Sequence, residues 1–131
     1  MLSSDAFSYV NVLDKAADAS WMRSSAIANN IANVDTPGYK RQDVEFAQVL
    51  KQNLMKAKYN TLDKAIDGVD LSQLRPKVYT DMKNFSYRLD GNNVDIDTEN
   101  VELASEQLRY NTLTSSMKHE FQMFTNAIKT S

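Results

Sequence analysis

Two long stretches of the chain repeat apolar or small side chains at alternating steps of three and four. In residues 4–33 they are Val10, Leu13, Ala17, Ser20, Ser24, Ile27 and Ile31, a spacing that lays a narrow seam along one side of a helix. Ser3 or Ser4 is placed to cap its start, where Asp5 suits the positive end of the helix dipole. In residues 98–129 the positions are Leu103, Tyr110, Leu113, Met117, Phe121, Phe124 and Ile128. Asp97 or Thr98 is the expected cap there, with Glu99 and Glu102 in the first turn and Lys129 in the last. The first seam is small at its centre and the second is bulky. Small residues let a second backbone approach closely but contribute little burial of their own, so the two helices are expected to pair, antiparallel, as a coiled-coil-like hairpin.

The residues between them carry weaker signals. Phe46, Val49, Leu50, Leu54 and Ala57 predict a short helix over 43–58, whereas the polar residues 59–75, followed by Pro76, predict irregular chain. Phe85, Tyr87 and Leu89 alternate, Asp90-Gly91-Asn92-Asn93 makes a turn, and Val94 and Ile96 alternate again. That is the pattern of a small β-hairpin feeding the last helix. The expected fold is mainly α and forms a single structural unit. An N-terminal helix occupies residues 1–34, a middle region with a Pro-Gly turn, short helix and hairpin occupies 35–97, and a C-terminal helix occupies 98–131.

Composition narrows the function classes. A chain of 131 residues suits one core. Its 15 basic and 17 acidic residues give a pI of 5.3, without the basic excess of a nucleic-acid binder, so no nucleic-acid partner is expected. The absence of cysteine removes disulfides and thiolate metal sites. The first residues lack the basic start of a cleavable secretory signal, and no apolar run is long enough to span a bilayer. Taken alone, this indicates a cytosolic chain with no direct membrane insertion.

Candidate chemistry is sparse. His119 is the single histidine, and His119-Glu120 continues without the second histidine of a zinc-protease helix. The acidic run 90–99 misses the calcium-loop template, since Val94 takes a ligand position and Asp95 the place of the obligatory glycine. No glycine-flanked serine turn is present, and three glycines are too few for a phosphate cradle. Catalytic, cofactor-binding and metal-ligating residues are therefore not expected. Amphipathic helices larger than their shared core are the profile of an assembly subunit; a helical secretion chaperone or binding module remains the other reading of the residues.

The string NNIANVDTPGYKRQ, residues 29–42, ends the first helix abruptly. Asn29, Asn30 and Asn33 punctuate its last turn, with Asn33 the expected cap. Thr36 precedes Pro37 and is biased away from helix, and Pro37-Gly38 suits a type II turn with Gly38 at positive φ, turning Tyr39 outward from the helix axis.

Within this string Asn30, Ile31, Asn33, Asp35, Thr36, Pro37, Gly38 and Tyr39 resemble the signature that bacterial flagellar axial proteins of the rod and hook carry after their N-terminal helix. Val34 departs from the more usual alanine. Asp90, Gly91, Asn92, Val94 and Asp95, opening the segment 89–113, resemble the matching C-terminal signature of the proximal rod subunits, which lack the large middle domain of hook and distal rod proteins. Of two sister types of proximal subunit, the Asp-Thr-Pro-Gly and Asp-Gly-Asn-Asn-Val-Asp forms favour one.

The resemblance implies a structural subunit that packs helically into the rod of the flagellar basal body, the drive shaft on the periplasmic side of the inner membrane. Its terminal helices would line the export channel. Implied partners are the chain itself, other rod proteins, the ring-anchoring adaptor and inner-membrane ring, and in transit the type III export gate, without a cleaved signal peptide. Phe46 and Leu50 fit the phenylalanine-plus-four pattern proposed for recognition at that gate; one apolar turn of a short helix produces the same spacing.

Overall fold

The computed structural model describes residues 4–56, 61–82 and 88–130. Helix α1 (Ser4–Ala32) is followed by strand β1 (Gln42–Glu45), helices α2 (Ala47–Lys56) and α3 (Leu62–Asp67), a 3-10 turn at Leu71–Gln73, strand β2 (Lys77–Thr80) and helix α4 (Ile96–Lys129). Phe7 meets Phe124 edge-on, with ring centroids 5.2 Å apart, and Trp21 tilts against Tyr110 at 5.8 Å. Asn30 meets Glu99. Residue numbers rise along one helix as they fall along the other, so the hairpin is antiparallel, as the seams predict.

Helix α4 begins earlier than expected. The Asp95 carboxylate accepts from the N–H groups of Asp97 and Thr98 at 3.0 and 3.3 Å, satisfying two donors that the first turn leaves open. Asp95 therefore caps the helix in place of Asp97 or Thr98. Ile96 becomes the first helical residue and Val94 a buried loop residue, so the second arm of the predicted hairpin is absent. Its first arm, Phe85 and Tyr87, lies outside the described residues, as does Ala57.

The small sheet is built elsewhere. Strand β1 pairs antiparallel with β2, Gln42 opposite Thr80 and Glu45 opposite Lys77. Residues 43–45, expected in the short helix, are extended because the Asn30 side-chain amide holds both the N–H and the carbonyl of Gln42, at 2.8 and 2.7 Å. The helix then starts at Ala47.

Residues 61–75, expected to be irregular, contain α3 and the 3-10 turn. Thr61 caps α3 by accepting from the Lys64 N–H, and Asp70 Oδ1 accepts from the Ser72 N–H and Oγ at 3.0 and 2.6 Å. One and a half helical turns are too short to leave a periodic signal. What holds this segment is burial: Ile66 and Leu74 close on Val12 of α1, with Phe46, Leu50 and Leu54 of the α2 segment packed around them. Helix α1 is thus covered on two sides. Its seam faces α4, and Val12, Ala19 and Ala26, seven residues apart, are buried outside that seam.

Candidate assembly interface

The corner after α1 and the loop before α4 form one docked unit. The Tyr39 N–H donates to the Thr36 carbonyl at 3.2 Å and Gly38 has φ +72°, the predicted type II geometry. Asn33 caps the helix end, as expected: it follows the last helical residue, and its side-chain amide donates to the Asn29 carbonyl at 2.8 Å. It does so without a left-handed backbone, since no non-glycine among the described residues has positive φ. Just beyond it the Asn92 amide, 0% exposed, donates to the carbonyls of Asn33, Val34 and Thr36 at 2.8, 3.0 and 2.9 Å. A residue from the loop before α4 thus ties down three carbonyls of the corner that follows α1. Arg88 adds a bond to the Val34 carbonyl at 2.7 Å.

The remaining bonds continue the dock. The Gly38 N–H donates to the Asp90 carbonyl at 2.7 Å, the Arg41 N–H to Asn93 Oδ1 at 2.7 Å, and Lys40 Nζ to the Gly91 carbonyl. Gly91 sits at φ +77°, with a built Cβ falling 3.7 Å from Gly38 Cα, so both glycines meet at the closest approach of the two loops. Tyr39, expected to point outward, turns back: its hydroxyl donates to Asn30 Oδ1 at 3.0 Å. Burial there and the charge of Glu99 push the phenol above its ordinary pKa.

Beneath the corner the hairpin is closed by charge. Glu99 and Glu106, each 1% exposed, lie seven residues apart on α4. Arg41 holds Glu99 at 2.6 Å, Asp81 at 2.8 Å and Asp43 at 3.4 Å. Arg23 holds Asp43 at 2.7 Å and both Glu102 and Glu106 at 2.9 Å. Ser20 Oγ and Arg109 complete Glu106 at 2.7 and 2.8 Å. No buried side-chain polar atom among the described residues lacks a partner, the condition under which buried charge is tolerable.

The charges also set the ionisation of their neighbours. The Asp43 hydrogen bond, reinforced by Glu106 and Glu102, outweighs burial and raises the Arg23 pKa above its ordinary value. Burial opposes ionisation of Arg41, and Glu99 and Asp81 more than offset it. Burial alone would raise the Asp43 carboxyl; Arg23, the Val44 N–H and Arg41 together hold it below the usual carboxylate value.

The predicted seam is met in part. Ala17 and Ile27 are buried, and Val10, Leu13, Ile31, Leu103, Tyr110, Leu113, Met117 and Phe124 are half-buried. Phe121, expected on the same face, is 50% exposed. Asn30, Asn92 and Val94 are buried, while Asp35, Thr36, Pro37, Gly38 and Asp90 stand exposed at the corner's surface. Phe46 and Leu50 lie half-buried against the α3 cluster, and His119 is exposed on α4.

What the seam reading missed are Arg23, Arg41, Asp43, Glu99 and Glu106. The signal was a gap: the α4 seam jumps from Leu103 to Tyr110, and the position the spacing requires between them is Glu106, with Glu99 one step before Leu103. Among the described residues no three histidine, aspartate or glutamate side chains are placed to share a metal ion. No helix there is long and apolar enough to cross a membrane. The arrangement is a clasp between the two ends of the chain.

The sequence is similar to those of known proteins. The family described as "Flagella basal body rod protein" matches residues 22–40, the last part of α1 and the corner. The flagellar basal body rod protein FlgB of Bacillus subtilis is 34% identical, over 90% of this chain and 88% of the relative. The FlgB of Borrelia hermsii is also 34% identical, over 92% and 95%, and that of Escherichia coli 30% identical, over 82% and 83%.

Asn92→Ala is expected to lower stability by about 1–3 kcal/mol, the scale of losing the side-chain hydrogen bonds that tie the two loops together, with faster amide hydrogen exchange across residues 33–39. Asn100→Ala, at an exposed position of α4, is expected to change neither. Because the folded-state pKa of Asp43 lies below its ordinary 3.8, the stability it contributes is complete above that value and is lost as the pH falls through the folded one. Chemical denaturation between pH 6 and pH 2, a range spanning that ordinary carboxylate value, should show a shallower acid slope for Asp43→Asn than for the unaltered chain.

Proposed function

The chain belongs to the FlgB family of flagellar basal body rod proteins, and on that premise we propose that it is a structural subunit of the proximal rod. It packs helically with copies of itself and with other rod proteins, α1 and α4 forming the layer that lines the export channel and the docked corner facing outward toward neighbouring subunits and the inner-membrane ring. The observation that carries this reading is the inverted burial of α4. Its fully buried residues are Glu99 and Glu106, while Val101, Leu108, Phe121, Met123 and Ile128 stay between 50% and 69% exposed. Each such side chain gains about 1.5–3 kcal/mol on full burial, which favours association with further helices.

Transit to that site requires an unfolded chain. Phe46 and Leu50 are packed against α3 in the folded protein, so an export gate reads them before folding and the core uses them afterwards. Phe46→Ala is expected to reduce secretion as well as stability; secretion at the level of the unaltered chain would leave only the packing role.

The direct test is imaging of basal bodies from a motile strain in which this chain, carrying a small tag in an exposed loop, is the sole subunit of its type. Density for the tag is expected at the membrane-proximal end of the rod. Intact rods without the chain would refute the proposal.

A further inference from the structure

The hairpin carries an uncharged groove and an apolar ridge on different sides. The first is a groove of about 480 Å³ between α1 and α4, whose walls include Trp21, Ser25, Ala28, Leu103 and Tyr110 and no charged residue; Trp21 is 63% exposed. The second is a ridge on the outer side of α4, where Val101, Ala104 and Leu108 follow at steps of three and four. Val101 and Leu108 are 68% and 69% exposed. At 3.6 residues per turn the ridge lies roughly a third of a turn around α4 from the groove. The two patches therefore cannot pair by a two-fold axis through either, and the contact is head-to-tail, the kind that propagates.

The levels along the hairpin agree. With Trp21 beside Tyr110 and Asn30 beside Glu99, Leu108 stands level with the Trp21 turn and Val101 with the Ala28 turn. A neighbour of the same orientation, side by side and with only a small axial shift, brings its Leu108 to the Trp21 turn and its Val101 to the Ala28 turn. Charge follows the same register. Asp14 and Asp18 continue the Trp21 stripe of α1 and are exposed, and the neighbour's exposed Lys118 comes level with Asp14.

We propose that the Trp21 groove receives the Val101, Ala104 and Leu108 ridge of a second copy of this chain, in parallel orientation and at nearly equal height. The contact desolvates apolar side chains against groove walls that carry no charge of their own, and Lys118 meets Asp14 at its rim. This rests on the rod reading above and specifies its lateral contact.

The test uses the absence of cysteine from the chain. Leu108→Cys and Ser25→Cys both alter exposed positions, so the fold is retained. In basal bodies isolated from cells carrying the double variant, mild oxidation is expected to give a ladder of disulfide-linked oligomers, whereas each single variant gives none beyond a dimer. Leu108→Cys combined with Gln73→Cys, on the exposed 3-10 turn, is expected to give no ladder. Basal bodies that contain the double variant without cross-links would overturn the ridge-and-groove contact and leave the rod reading standing. Basal bodies that lack the chain altogether would overturn both.

Discussion

The fold depends on two carboxylates that have no water to turn to. Glu99 and Glu106 face α1 from positions that a helical hairpin ordinarily fills with leucine, and each is 1% exposed. A carboxylate so placed costs several kcal/mol unless guanidinium and hydroxyl donors surround it. Arg41 and Arg23 supply those donors, together with Ser20, Arg109 and Asn30. This requirement fixes more than one contact. Arg41 reaches Glu99 only if the chain turns back directly after α1, and Arg23 reaches Asp43 and Glu106 together only if β1 lies against the same face.

The corner and the charge lattice are one construction. The Asn30 amide binds the Gln42 backbone and Glu99 while its oxygen accepts from Tyr39, so the helix end, the strand start and the partner helix share a residue. Asn92, in the loop before α4, binds three carbonyls of the corner that follows α1. A hairpin held in this way has its register set by directional bonds rather than by apolar area, since a shift of one turn strands several charges at once. Its apolar side chains are then free to serve the exterior. That division of labour suits a subunit whose partners supply much of its burial.

The long helices were legible in the sequence because seven or more periodic positions each leave little room for another element. Gly38's positive φ was legible too, from Pro37-Gly38 alone. The sheet was not: β1 is four residues at the start of an apolar helical run, and its partner β2 is more than thirty residues away, so local pattern carries no record of the pairing. Asn92 looked like a turn residue because nothing near it in sequence shows that three carbonyls await it. Glu99 and Glu106 were hidden by the habit of reading seams through apolar residues; the break between Leu103 and Tyr110 was the only trace of them.

A double-mutant cycle on Arg23 and Glu106, followed by chemical denaturation, reaches this constraint most directly. If buried charge sets the hairpin, Arg23→Met and Glu106→Leu should each cost about 3–5 kcal/mol by removing a partner from the other's buried charge. The double variant should then be markedly more stable than the sum of the two losses predicts. Small and additive losses would contradict the account, for the hairpin would then stand on apolar packing and the two carboxylates would be incidental to it.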